Sequence, residues 1–135
     1  KEEIYKQSDI VTLHLPLTAE TKNMITESHL LSMKTDAIII NTSRGGIINE
    51  DDLYKVMQSG HLSGAAIDVF DNEPYDGDLN KIERCLLTAH MGSMSIDCRT
   101  RMEIEATEEA VRFLTGKTLK GLVPEEEYEV QRQGL

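Results

Sequence analysis

The sequence predicts an α/β fold: an open parallel sheet of about four strands with helices between them. Three observations predict it. Four short apolar runs recur along the 135 residues, at Asp9–Pro16, Ala37–Ser43, Leu62–Val69 and Cys85–His90. The second and third are nearly continuous in apolar or small residues, the pattern of strands covered on both faces in a parallel sheet. Between the runs lie segments with helix signals, so strands and helices alternate as βαβ units with right-handed crossovers.

The first run alternates, with Val11, Leu13 and Leu15 on one face. Thr26 is placed to cap a short helix through Leu30, Leu31 and Met33. The second run supplies the second strand. Asn49 caps the next helix, with Asp51 and Asp52 in its first turn where the helix dipole favours them. Leu53, Val56 and Met57 give that helix its apolar stripe, and Gly60 ends it. The third and fourth runs supply the remaining strands. The longest helix runs from about Ser95 to Leu114 and stops at Gly116; Met102, Ala106, Ala110, Phe113 and Leu114 recur at helical spacing and are expected to face a core. Glu108 and Arg112 form a favourable pair on the other side. Residues 1–116 read as one domain and 117–135 as a tail.

The formal net charge is −10 and the isoelectric point is near 4.8. A polyanion repels phosphate backbones, so nucleic acid is not expected as a partner. Much of the negative charge sits in surface-like stretches such as Glu125, Glu126 and Glu127, which read as a solvated face. No apolar run approaches the ~20 residues of a membrane helix, and Lys1, Glu2, Glu3, Lys6 and Gln7 leave no signal-peptide core in the first ten residues. Cys85 and Cys98 lack metal-ligand spacing and are too few for a disulfide scaffold. They read as free packing thiols of a cytoplasmic protein, and no metal site is expected.

Ligands on open α/β sheets bind at the carboxyl ends of the strands. The first strand ends in His14-Leu15-Pro16, followed by Thr18 and Thr21, and the second in Asn41-Thr42-Ser43-Arg44-Gly45-Gly46. The third ends in Asp68-Val69-Phe70 and leads to Asp71-Asn72-Glu73-Pro74; the fourth ends in Thr88-Ala89-His90, then Met91-Gly92-Ser93. A guanidinium grips a carboxylate through two parallel hydrogen bonds. The two glycines after Arg44 allow close approach of a ligand and a sharp turn. A histidine exchanges a proton near neutral pH, and a neighbouring carboxylate favours its charged form. Glu73 can take that place if its loop folds over the fourth strand. An arginine to hold an acid and a His–Glu pair to move a proton suit the oxidation of a 2-hydroxy acid. Plainer readings stand beside this one: Arg44 as a surface charge or cap, His90 as a hydrogen-bonded structural histidine, Glu73 as an ordinary loop carboxylate. Asp68 is harder to dismiss, because a charge in an apolar run needs a partner or a ligand.

The spans Ile40–Gly46, Ala66–Pro74 and Thr88–Ser93 resemble three signature regions of the D-2-hydroxyacid dehydrogenase family, and Ser8–Thr18 is similar to that family's preceding strand and loop. The resemblance covers roughly residues 1–122. It implies the later strands of a Rossmann-like, doubly wound parallel sheet and hydride transfer between NAD(H) and a D-2-hydroxy acid/2-keto acid pair, with NADP not excluded. By resemblance, Arg44 binds the substrate carboxylate and polarises its carbonyl. His90 is the acid/base, and Glu73 hydrogen-bonds it and keeps it protonated. Asp68 contacts the nicotinamide carboxamide. His14, Leu15, Pro16 and Thr21 line the ribose and adenine side of the cofactor, while Thr42, Ser43 and Gly92 approach the nicotinamide largely through backbone. Formate dehydrogenases related to the family carry Gln at the Glu73 position, so Glu73 implies a reaction that moves a proton. Residues Gly116–Leu122 look similar to phosphoglycerate dehydrogenase-type members.

No Gly-x-Gly-x-x-Gly occurs in the sequence. Family members carry that phosphate-binding loop upstream of the strand that begins here at Asp9. The sequence is therefore expected to be a fragment that alone binds NADH weakly and turns nothing over; the full-length protein is expected to be a homodimer. An NAD(H)-sensing corepressor-like role is the alternative, though that group carries a tryptophan after the histidine and this chain has no Trp. An assembly-only domain is a further alternative.

Overall fold

The computed structural model describes residues 2–125 and 127–129, so Glu126 and the end of the predicted tail lie outside the described residues. In chain order the elements are α1 (Glu2–Gln7), β1 (Ile10–Leu13), α2 (Glu27–Ser32), β2 (Ile38–Asn41), α3 (Glu50–Ser59), β3 (Gly64–Ile67), a 3-10 turn (Asp78–Lys81), β4 (Cys85–Leu87) and α4 (Ile96–Leu114). The strands all pair in parallel, in the order β1-β2-β3-β4. The chain divides into two compact units between His90 and Met91. The boundary expected at residue 116 falls inside the second unit.

Right-handed crossovers along a sheet whose strand order never reverses all pass on the same side. Helices α1–α3 therefore cover one face. There Tyr5, Leu30, Leu53, Val56 and Met57 pack with Val11, Leu13, Ile39, Ala65 and Ile67. On the opposite face Ile38, Ile40, Gly64 and Ala66 are only half-buried, and Ile10 and Leu86 are exposed. This corrects the expectation that β2 and β3 are covered on both faces. The architecture is a Rossmann-like α/β sheet, and the first unit holds one of the two helical layers of a doubly wound arrangement. Leu15 lies past the end of β1 and is 38% exposed, unlike Val11 and Leu13.

The helix ends follow their sequence signals. The Asn49 side chain accepts the Asp52 N–H at 3.0 Å, and Gly60 ends α3 with φ +81°. Arg84 then donates to the carbonyls of Met57 (2.8 Å) and Leu62 (2.6 Å), tying the α3–β3 connection to the chain entering β4. Thr26 caps α2, with its N–H donating to His29 Nδ1 at 3.2 Å. Tyr5 packs edge-on against the His29 ring at 5.6 Å between centroids, which docks α1, an element that lacks a periodic signature in the sequence.

In the second unit Ser95 caps α4, accepting the Cys98 N–H at 3.2 Å. None of its residues is buried: Met102, Ala106, Ala110, Phe113 and Leu114, expected against a core, are all exposed. At about 3.6 residues per turn, Arg99 and Glu103 fall within the same arc, where they pair with each other at 3.3 Å and interrupt the apolar stripe. Arg112 pairs with Glu109 at 3.5 Å rather than with Glu108. Glu109 also accepts the N–H groups of Lys120 and Gly121, so the first residues of the predicted tail fold back on α4.

Leu53 is 1% exposed at the centre of the α3 contact with the sheet. Leu53→Ala should cost about 2–5 kcal/mol of unfolding free energy in urea titrations. A loss below about 1 kcal/mol would contradict the packing described.

Candidate active site

The ends of β3 and β4 are joined by a ladder that continues beyond the strands. Thr88 N–H donates to the Ile67 carbonyl at 3.0 Å, and His90 N–H donates to the Asp68 carbonyl at 2.8 Å. His90 adopts φ +52°, a left-handed conformation that costs a side-chain-bearing residue energy and persists where its surroundings dictate it. The Glu73 loop does fold over β4. Glu73 Oε1 accepts the Phe70 N–H at 3.0 Å, and Oε2 contacts His90 Nδ1 at 3.0 Å. A carboxylate can only accept, so the imidazole donates from Nδ1. The Phe70 amide first, and His90 second, hold the Glu73 carboxyl below the usual carboxylate range.

Asp68 is buried at the end of β3. Its N–H donates to the Asn41 carbonyl at 2.9 Å, and its Oδ1 accepts the Thr88 hydroxyl at 2.5 Å. The predicted carboxylate is thus oriented from β4, one strand over. Nothing in the spacing of the sequence marks Thr88 for this, because the contact crosses twenty positions.

The Arg44 loop is shaped by Asn41, whose side chain is 2% exposed. Asn41 Oδ1 accepts both the N–H (3.1 Å) and the hydroxyl (2.9 Å) of Ser43, while Nδ2 donates to the Arg44 carbonyl at 2.9 Å. A lone polar residue closing the apolar run Ile38–Asn41 was the available signal for it. Arg44 Nη1 donates to the Ser43 carbonyl at 2.7 Å, and the side chain is exposed without an ion pair among the described residues. Gly45 is needed for a reason different from the one expected. A Cβ there would lie 1.9 Å from the Phe70 carbonyl oxygen, so the space is filled by the chain's own backbone rather than by a ligand. Gly46 makes the turn, at φ +73°.

The other predicted residues spread along the same edge. His14 and Pro16 are exposed beyond β1, with His14 Nε2 3.0 Å from the Thr12 hydroxyl. Thr21 spends its hydroxyl within its loop, donating to the Pro16 carbonyl at 2.7 Å and accepting the Thr18 N–H at 2.7 Å. Thr42 is exposed, and Ser43 directs both its hydroxyl and its N–H to Asn41 and its carbonyl to Arg44. Gly92 lies in the second unit and is exposed. The structure thus brings Glu73, His90 and Asp68 into direct contact and registers the Arg44 loop on Phe70. A mostly apolar cavity of about 540 Å³ lies on the Glu73 side of the pair, walled by Phe70, Pro74, Tyr75, Leu87 and Ala89. Among the described residues no group of three or more His, Cys, Asp or Glu side chains is arranged to hold a metal ion, and no helix is long and apolar enough to cross a membrane.

Gly45→Ala should displace the Phe70 peptide, lowering the thermal midpoint and shifting the Phe70 and Asp71 amide resonances; an unchanged midpoint and spectrum would show that the loops are not in this register. The lowered pKa of Glu73 has a definite sign for folding. Its stabilising contribution is complete above the ordinary carboxylate range and is lost as pH falls through the depressed value. Glu73→Gln should therefore flatten that part of the acid limb in a plot of denaturation midpoint against pH, and parallel curves for the two proteins would refute the assignment.

Residues 1–92 match the NAD binding domain of the D-isomer specific 2-hydroxyacid dehydrogenases. The chain is 40% identical over 136 residues to a glyoxylate reductase of Korarchaeum cryptofilum, covering 99% of this chain and 41% of that protein. It is 39% identical over 123 residues to the glyoxylate reductase of Thermococcus litoralis, covering 90% and 37%. The chain thus spans about 40% of the length of curated relatives such as these. Among solved structures, a glyoxylate reductase from Paecilomyes thermophila aligns with TM-score 0.84 at 32% identity, over 93% of this chain and 38% of the other. An NAD-dependent formate dehydrogenase from Staphylococcus aureus in complex with NAD aligns with TM-score 0.80 at 31% identity, over 91% and 39%. Since the matched span takes in all four strands and the positions of Arg44, Glu73 and His90, the chain belongs to the D-isomer specific 2-hydroxyacid dehydrogenase family.

Proposed function

We propose that this chain forms the carboxylate-binding and proton-handling part of an NAD(P)-dependent oxidoreductase that interconverts a small 2-keto acid and its D-2-hydroxy acid. The observation that carries the reading is the 3.0 Å contact between His90 Nδ1 and Glu73 Oε2. With Nδ1 engaged by the carboxylate, Nε2 is the ring nitrogen left to exchange a proton with a substrate oxygen. Glu73 stabilises the imidazolium that this exchange requires, and His–carboxylate assistance of this kind contributes about 10²–10⁴-fold. Arg44 is exposed and free of carboxylate partners among the described residues, as a group meant for an incoming acid should be. The relatives whose names give a substrate favour glyoxylate over 3-phosphoglycerate. The two free cysteines add a cytoplasmic setting to the reading, and the full-length protein is read as a homodimer.

The residues present fit the nicotinamide end of the cofactor. Asp68 offers a buried, Thr88-oriented carboxylate that can accept from a carboxamide, and exposed Leu15, Pro16 and Thr42 lie along the same sheet edge. The sequence holds no Gly-x-Gly-x-x-Gly for the pyrophosphate. When bound, the cofactor supplies the hydride. The protein's part is to hold the acid at Arg44 and the proton at His90.

The test is a graft of residues 1–122 in place of the matching segment of the Korarchaeum cryptofilum glyoxylate reductase. The graft should oxidise NADH or NADPH with glyoxylate. His90→Gln should lower kcat at least about 100-fold with cofactor affinity kept. Arg44→Lys should act mainly on the keto-acid step, because a point charge cannot replace the guanidinium fork. A folded, cofactor-binding graft whose turnover is indifferent to both substitutions would overturn the proposal.

A further inference from the structure

Glu50 is the first residue of α3, where an acidic side chain ordinarily serves the helix dipole. Here it does something else. Its Oε1 accepts the N–H of Asp71, twenty-one positions away, at 2.7 Å. The dipole is served without it, by Asp51 and by Asp52, which is paired with Lys55 at 3.1 Å. Glu50 is half-buried among like charges: burial first, then Asp71, Asp51 and Glu73, push its carboxyl above the usual range, and the Asp71 N–H pulls the other way. A carboxylate kept at an electrostatically unfavourable place by one backbone donor is evidence that the donor is what it is there to hold.

That donor belongs to the peptide joining Phe70 to Asp71. The carbonyl of the same peptide lies against Gly45, next to Arg44. The Asp71 side chain lies over Gly46, with Oδ1 3.0 Å from where a Cβ would stand. One residue back, the Phe70 N–H is held by Glu73, whose other oxygen holds His90. We propose that Glu50 is a positioning residue: by holding the Asp71 N–H it fixes the Phe70–Asp71 peptide, against which the Arg44 loop is registered, and through Phe70 the adjoining Val69–Phe70 peptide, whose N–H holds the Glu73–His90 pair. This rests on the proposed function for what the pair does, and on the geometry alone for what Glu50 does.

Two variants separate positioning from helix-terminal charge. Glu50→Gln removes the charge and keeps an acceptor at the same reach. Glu50→Asp keeps the charge and withdraws the acceptor by one methylene. The isotope-labelled 135-residue chain, without cofactor or substrate, reports on both through exchange of the Asp71 amide hydrogen and the pH midpoint of the Glu73 side-chain carboxyl resonance. Displacing the Phe70 amide raises the Glu73 midpoint, whereas loss of the Glu50 charge, which repels Glu73, can only lower it. His90 and Asp68 are the other ionisable groups that act on it. In Glu50→Asp, amide exchange should accelerate at least tenfold and the Glu73 midpoint should rise toward the ordinary carboxylate value. In Glu50→Gln, exchange should stay within threefold of the parent and the midpoint should not rise. The reverse pattern, or no change in either variant, overturns the proposal. If Glu50→Asp does not fold, Glu50→Gln alone decides: a raised Glu73 midpoint or an unprotected Asp71 amide sinks the idea, and parental behaviour supports it. Because neither readout involves turnover, failure of the oxidoreductase reading in the graft and failure of this proposal are distinguishable.

Discussion

The carbonyl of Phe70 lies where a side chain on Gly45 would have to begin, and that contact fixes how far the loop bearing Arg44 stands from the loop bearing Glu73. Two loops following different strands are usually coupled through side chains, which change rotamer at modest cost. Here the coupling is backbone against backbone, and no alternative rotamer exists to relieve it. The hydrogen bonds around it point the same way. Phe70 N–H goes to Glu73, Asp71 N–H goes to Glu50, and Asn41 closes the Arg44 turn from beneath. The first residues after β3 serve less as a connection than as a bracket to which three loops and the start of α3 are fixed.

The bracket can exist because the strand order never reverses. Because the strands are parallel and their order is that of the chain, each successive strand delivers its carboxyl end to the same edge, one strand spacing further along. Neighbouring loops therefore meet in sequence order: Asn41 with Asp68 through the Asn41 carbonyl, then Asp68 with His90 through the Asp68 carbonyl. The same regularity leaves the other sheet face with one helical layer fewer. That is why Ile10 and Leu86 remain exposed while Ile39, one pleat over, is fully buried.

What the sequence made legible follows from locality. The strands, the Asn49 cap, the Gly60 terminus and the start of α4 near Ser95 are each specified within a few residues, and the structure has them where the patterns put them. The Glu73–His90 contact was legible as a conditional, because both residues stand at strand ends and only the fold of one loop was open. Glu50 and Thr88 were not legible as site residues. Each has a sufficient local explanation, a helix-dipole acid and a strand threonine, and the contact that distinguishes it crosses about twenty positions. Gly45 was noticed for the right property and the wrong occupant. The stripe on α4 misled because periodicity reports which side chains share an arc, and it is silent on whether anything packs against that arc.

On the proposed function, a net charge of −10 poses a problem for a chain that is to hold an anionic substrate, and the carboxylates of this edge bear on how it is met. Glu50, Asp68 and Glu73 all lie on elements or loops that meet the Phe70–Asp71 bracket, and none of them is paired with Arg44. Instead they accept from groups of the chain's own scaffold: Glu50 from the Asp71 amide, Asp68 from the Thr88 hydroxyl, Glu73 from the Phe70 amide and the His90 ring. The backbone and hydroxyl donors carry no full charge, so they satisfy a carboxylate without cancelling it. The guanidinium, bonded only to its own loop at the Ser43 carbonyl, keeps its outer donors for an incoming acid. Had a carboxylate of the chain taken those donors, the edge would present an approaching anion with uncompensated negative charge. On the proposed function, keeping the acids occupied with backbone and hydroxyl donors is therefore as much a part of substrate binding as the arginine is.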